Sequence, residues 1–453
     1  MSLSSESIWI IASLVVLLVL FLISCRYCLA IGVGLINPVT VYLLVWFFIT
    51  LLYNIRIISF NEVGLRTWSA LVIGHIMFTL GAIQGASVSQ LRPEVGRIPL
   101  ECSGVCRPAP RERYMRLMLF YFIVGIGIFI IYLKVVSSQY GGILNVVIMP
   151  GFVRAGISEG EVVLSYKYIY ILMPLSVISG LYLIVYGRSV WALLILVVSL
   201  LSSVATTGRL NFIWCLVWIA FAAIYTKKIS RIHFGMVLKS VLLFSCFVAI
   251  FVGLGNWLGK SYENFDFGGE HEGISRYFVL PYLYLEGSIP ALQRLIEEQP
   301  ERHYGMNTFL PIVKIYSTIK GSTPPSEIEE SVDIPYSFNT FTYLSPSIRD
   351  FGLLGTVFMP LIYGFVAMYI FVRMWTGDAG MFSIYLCSLV SSMVVFSFKG
   401  NHSISFATWM FILSGYVFYF LAERSSTDGG RERWLPTTKE NTLRSFGPEG
   451  MRS

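Results

Sequence analysis

The sequence predicts an all-α, polytopic integral membrane protein with about eleven transmembrane helices and one large outer loop between helices 8 and 9. Three observations carry this expectation. Only 13% of the 453 residues are charged, against roughly 25% in soluble domains. Apolar runs of about 20 residues, the length that crosses a hydrocarbon core of about 30 Å, recur with charge-free interiors. Basic segments occupy alternate gaps between those runs, as the positive-inside pattern requires.

Each run can be justified in order. The first, 7 to 25, has neither a basic leader nor a small-residue cleavage site, so it reads as a retained helix rather than a signal peptide. Arg26 after it marks the cytoplasmic side. The runs 37 to 54 and 66 to 86 lead to the arginine-rich stretch between Arg92 and Arg116, again cytoplasmic. The run 115 to 136 exits to the segment Ser137 to Tyr166, and 167 to 186 returns to Arg188. Almost no loop separates 189 to 207 from 210 to 226, which ends at the basic KKISR of 227 to 231. A run at 236 to 257 then opens the long segment 258 to 348. The runs 350 to 372, 380 to 398 and 403 to 422 close the set, with Arg373 and Arg424 on the basic side. The N-terminus is therefore expected outside and the C-terminus in the cytoplasm. The net charge of +7 is a topology signal, not a nucleic-acid-binding surface.

This divides the chain into helices 1–8 over 1–257, the outer loop over 258–348, helices 9–11 over 349–422 and a solvent-facing, disordered tail over 423–453. Long ordered loops in compact proteins are usually functional. Within the outer loop, IPALQRLIEE places Ile289, Leu292, Leu295 and Ile296 on one stripe, which predicts a helix lying along the membrane surface or capping the bundle. No internal repeat of solenoid or inverted-repeat type is evident. The pairs Cys25/Cys28 and Cys102/Cys106 have metal-like spacing but fall short of the four ligands of a zinc site, and no disulfide is expected. Cys215, Cys246 and Cys387 read as small apolar residues within helices.

The residues with chemistry to offer lie on the outer side. Arg154, Arg209, Arg276 and Arg349 lie on the outer side, Arg209 between two apolar runs with almost no loop. A guanidinium there either snorkels to headgroups or binds an anion, since its planar fork bonds phosphate bidentately. Asp350, next to Arg349 at the mouth of a charge-free run, suits the positive end of a helix, an ion pair, an orienting role or a general base. His271, His303 and His402 are the outer histidines, either solvated or available as bases. Asp266, Glu270, His271 and Glu272 form an acidic cluster whose spacing matches no recognised cation site, so no metal is expected.

The strings TTGR at a helix boundary, ISRYFVLPYLYLEGSIPAL, HYGMNTFLPIV and NTFTYLSPSIRDFGLLG, in that order, resemble the Wzy-type oligosaccharide repeat-unit polymerases, or O-antigen polymerases. The resemblance implies a glycosyltransferase of the bacterial inner membrane. Such enzymes join undecaprenyl-pyrophosphate-linked glycan units at the periplasmic face, alongside a flippase and a chain-length regulator. It implies no cofactor. Arg209, Arg276, Arg349 and Arg154 would hold the pyrophosphate, Asn339 and Tyr343 would contact the glycan, and Asp350, His303 or His271 would serve the attacking hydroxyl. In the related O-antigen ligases a His-Asn pair precedes a helix bearing an acid and Gly; here Asn339 matches, but Phe338 replaces the histidine. A ligase or another lipid-linked-sugar glycosyltransferase is the second expectation, and a polysaccharide transporter the third.

Overall fold

In the computed structural model the described residues are 5–58, 60–91, 111–148, 167–206, 209–229, 253, 275–298, 301–323, 325, 331–334, 337–377 and 380–423. They are almost entirely helical. The first part of the chain forms α1 (Ser5–Ala30), α2 (Pro38–Tyr53), α3 (Leu65–Leu91), α4 (Arg111–Gln139) and the short α5 (Ile143–Ile148), followed by α6 (Ile169–Tyr186), α7 (Val190–Ser202) and α8 (Arg209–Thr226). The segment between α8 and α12 contributes α9 (Ser275–Glu286), α10 (Ser288–Glu298) and α11 (Leu310–Lys320), with a two-residue ribbon of β1 (Val332–Asp333) and β2 (Ser337–Phe338). After it come α12 (Ser345–Phe351), α13 (Gly355–Thr376), α14 (Met381–Val395) and α15 (Phe406–Glu423).

Seven helices among the described residues are long and apolar enough to cross a membrane: α1, α3, α4, α6, the α12–α13 stretch, α14 with its 3-10 extension, and α15. Apolar helices at Pro38–Tyr53, Val190–Ala205 and Leu210–Thr226 are shorter. The expected run at 236–257 lies outside the described residues. Ile8, Ile11, Val15, Leu18 and Leu22 of α1 stand exposed in the direction lipid would occupy. The protein is membrane-embedded.

Small residues decide the central packing. A Cβ on Gly81 of α3 would overlap the Leu361 carbonyl of α13, one on Gly85 the Phe365 carbonyl, and one on Gly364 the Phe78 carbonyl. The contacts Gly81–Leu361 and Gly85–Phe365 advance together along both helices, so α3 and α13 run parallel, backbone against backbone, as small-residue membrane interfaces allow. Asn37 starts α2 by accepting from the Val39 and Thr40 amides at 3.1 Å, with Pro38 in the first turn.

Polar contacts collect the helix ends into two groups. At one end Tyr53 Oη and the Val63 amide both donate to buried Glu6 at 3.0 Å, and Arg56 pairs with the same carboxylate. There, too, Gln293 of α10 accepts from the Gly64 amide at 3.1 Å. At the opposite end Tyr27 meets Ser87 at 2.8 Å, and Arg111 donates to Tyr182 Oη at 3.1 Å. The stripe Ile289, Leu292, Leu295 and Ile296 is buried, and α10 packs on α3, β1 and α12. Cys28, Cys215 and Cys387 are buried free thiols, and Cys25 is a half-buried one.

Candidate functional site

The segment from Thr340 to Asp350 sinks into the bundle instead of running over its surface; Thr342, Tyr343, Ser345, Ser347 and Asp350 are buried. So polar a stretch can be buried because its groups find partners. Ser347 Oγ donates to the Leu344 carbonyl at 2.8 Å, the Leu344 amide donates to Thr342 Oγ1 at 3.3 Å, and the Tyr343 amide donates to the Ser397 carbonyl at 2.8 Å. Gly74 of α3 leaves room for Leu344, whose methyls would lie 3.4 Å from a Cβ there.

The expected span beginning at 350 is broken. Gly352 adopts φ +62, a left-handed conformation that glycine tolerates, and a 3-10 turn over Gly352–Leu354 separates α12 from α13. Asp350 therefore ends α12 and does not start the long helix. Its carboxylate accepts from the Asn307 amide at 3.2 Å, from Asn307 Nδ2 at 3.0 Å and from the Thr308 amide at 2.6 Å. Those donors sit just before α11, so the acid does serve a helix entry, but that of α11 rather than α13. The His303 amide donates to the Arg349 carbonyl at 3.3 Å, and the Arg349 guanidinium lies over the Phe341 ring at 5.4 Å.

Three of the expected site residues, Asp350, Arg349 and His303, thus share one junction between the 303–309 turn and α12. The His303 side chain is exposed, Arg349 is half-buried and Asp350 is buried. Asn339 is exposed at the end of β2. Tyr343 is buried and its hydroxyl is engaged, which leaves no open ring face for stacking on a sugar. Arg209 begins α8 and Arg276 lies in the first turn of α9, with side chains outside what is described. Arg154 and His271 lie outside the described residues altogether, as do Asp266, Glu270 and Glu272.

Beneath this junction is a buried polar chain that the sequence reading did not single out. Tyr343 Oη meets Tyr42 Oη at 2.7 Å, and Tyr42 Oη meets His75 Nδ1 at 2.9 Å. Trp46 Nε1 donates to Ser397 Oγ at 3.0 Å alongside. His75 lies ten residues, about 15 Å, along α3 from Leu65. A signal for it existed, since His75 is an ionisable side chain inside an apolar run. Next to it, Tyr363 Oη accepts from Asn401 Nδ2 at 2.6 Å and from Ser403 Oγ at 3.2 Å, and its ring lies 6.2 Å from that of Tyr343. His402 packs on Trp214 with ring centroids 4.5 Å apart. Burial first, and then the Lys399 ammonium, lower its imidazole to about 3, so it is neutral at neutral pH.

In the same region Glu286, at the end of α9, is fully buried, and neither carboxylate oxygen has a hydrogen-bond partner among the described residues. Burial pushes its carboxyl well above the usual carboxylate range. Comparison with protein-family models, with curated proteins and with solved structures gave no match.

Proposed function

We propose that this protein is a metal-independent glycosyltransferase that polymerises undecaprenyl-pyrophosphate-linked oligosaccharide repeat units at the periplasmic face of a bacterial inner membrane. In this reading the chain crosses the membrane eleven times, with the N-terminus periplasmic and the C-terminus cytoplasmic. The observation that supports it best is the junction at α12. There the outer-loop turn 303–309 is tied to Asp350, and Arg349 and His303 sit one backbone hydrogen bond apart. A cation and an imidazole held together where a span meets a folded loop suit a substrate with a lipid tail, a pyrophosphate and a sugar.

The chemistry asks little more. The acceptor hydroxyl forms the new glycosidic C–O bond as the bond from the donor anomeric carbon to pyrophosphate breaks, and the hydroxyl proton passes to a base. Arginines stabilise the departing pyrophosphate as its charge develops. Arg349 supplies one such group, and Arg209, Arg276 and Arg154 are proposed to join it. Asp350, whose oxygens are occupied by three N–H donors, positions the turn, while exposed His303 is the residue at the junction able to take a proton. The partners of this reading are the lipid-linked glycan, membrane lipid, a flippase and a chain-length regulator. A ligase would share the same donor chemistry.

One observation favours a transporter as the second reading: His75, Tyr42 and Tyr343 form a hydrogen-bonded chain inside the bundle next to a broken helix, an arrangement that suits passage of a polar solute. Lysine substitutions test the primary reading, because lysine keeps the charge but loses the fork. Arg209→Lys, Arg276→Lys and Arg349→Lys are expected to shorten or abolish the glycan ladder in a polymerase-null strain at unchanged membrane abundance. Full ladders from all three would remove the pyrophosphate site.

A further inference from the structure

Helix α11 is amphipathic in the opposite sense to a helix packed on a soluble core. Ile312, Ile315, Tyr316 and Ile319 are 66%, 51%, 56% and 80% exposed, and Phe309 just before them is 51% exposed. Their spacing places them on one face. The side turned toward the protein carries Val313, Lys314 and Ser317, each half-buried. The helix sequence LPIVKIYSTIK holds two lysines and no acid, and the Lys320 ammonium lies 4.8 Å from the Tyr316 ring centroid. Gly321, at φ +70, closes the helix in a left-handed cap and turns the chain away.

What covers this stripe follows from what adjoins it. The Asp350 bonds to Asn307 and Thr308 fasten the start of α11 to the head of the span Ser345–Thr376, where Leu353, Leu354 and Phe358 are 49%, 63% and 58% exposed. The helix also packs against α15, another candidate span, whose Trp409 is exposed and donates to the Ser403 carbonyl at 2.8 Å, the posture of an interfacial tryptophan. The exposed stripe is therefore continuous with the apolar flank of two membrane-spanning helices. We infer that α11 is an interfacial helix, with Phe309, Ile312, Ile315, Tyr316 and Ile319 seated among phospholipid acyl chains at the loop end of the bundle and exposed Lys320 at the headgroups. Asp350 is the tether that sets its depth. This inference rests on membrane embedding alone and stands apart from the proposed glycosyl transfer.

Two measurements on the full-length chain in vesicles of phosphatidylethanolamine and phosphatidylglycerol test it. In the first, Ile312→Cys, Ile319→Cys and Ser322→Cys, each in a chain with the native cysteines replaced, carry a bimane label. Brominated acyl chains should quench the labels at 312 and 319 at least twofold more than the label at 322, and aqueous iodide should show the reverse order. In the second, the unmodified protein is irradiated with a phospholipid bearing a diazirine in its acyl chain and digested with trypsin. Adducts should fall on the peptide Ile315–Lys320 and spare the peptide that starts at Gly321. Iodide quenching at 319 equal to that at 322 overturns the inference, as does the absence of lipid adducts on 315–320. Protection from both quenchers together with cross-linking between copies also overturns it, assigning the stripe to a second copy of the chain.

Discussion

Replacing Asp350 with asparagine isolates the junction on which the site depends. Three N–H donors converge on the two carboxylate oxygens, at 3.2, 3.0 and 2.6 Å. Asparagine offers one oxygen and one NH2, so in either orientation an amide NH2 faces an N–H donor and at least one bond is lost. Hydrogen bonds to a charged group contribute about 1.5–3 kcal/mol each. The loss of one should raise the population in which the 303–309 turn is detached by about ten- to a hundredfold. Trypsin cleavage after Lys314 and Lys320 reads this opening directly, since both bonds lie in the element the turn anchors. Unmasking of buried Cys28, Cys215 and Cys387 to a thiol-reactive dye on heating reports the stability of the bundle as a whole. Asp350→Asn should be cleaved at least tenfold faster at 314 and 320, with a smaller fall in the melting temperature. Wild-type cleavage and melting combined with lost activity would refute the tethering role and make Asp350 the base.

Three further outcomes are expected. Gly364→Leu should abolish accumulation of folded protein in the membrane, because even a Cβ at that position meets the Phe78 carbonyl; folded protein at wild-type level would show that α3 and α13 are not in backbone contact. Glu286→Gln should raise the thiol-dye melting temperature at pH 7–8. The folded acid holds its proton well above the unfolded value of about 4.3, so stability is lost as pH rises past that value, and glutamine removes the loss. A lower melting temperature for Glu286→Gln would instead reveal a cationic partner. Reporter fusions should place Val105 and the chain beyond Arg424 in the cytoplasm and Ser322 outside; an outside tail would reverse every assignment of side.

Charge-free run length announced the seven helices that are long and apolar enough to cross, because a bilayer core imposes a minimum apolar stretch, and the stripe of α10 was legible from spacing because its apolar face turns inward. Two features were not legible for physical reasons. Residues 340–350 look like an exposed loop, since Thr, Tyr, Ser and Asp are the groups that ordinarily seek water. They are buried because Ser397, Leu344, Tyr42 and the 307–308 amides, distant in sequence or hidden in the backbone, satisfy them. Helix α11 carries a helical stripe in LPIVKIYSTIK, but spacing alone does not say whether such a stripe faces protein or lipid. At the candidate site the sequence marked Arg349, Asp350 and His303 individually, and their meeting depends on a contact across more than 40 residues. The polar chain through Tyr42 was hidden among residues that an aromatic-rich bundle would use for packing.

Reconstitution tests the central claim most directly. Purified protein in vesicles is given undecaprenyl-pyrophosphate-linked repeat units in the presence of EDTA, and the products are resolved by length, with released undecaprenyl pyrophosphate counted in parallel. The account predicts a ladder of lengthened lipid-linked glycans and one released carrier per bond formed, with Arg349→Lys depressed in both. Unextended units that reach the opposite face of the vesicle, or a ladder that appears only when magnesium or manganese is restored, would contradict it.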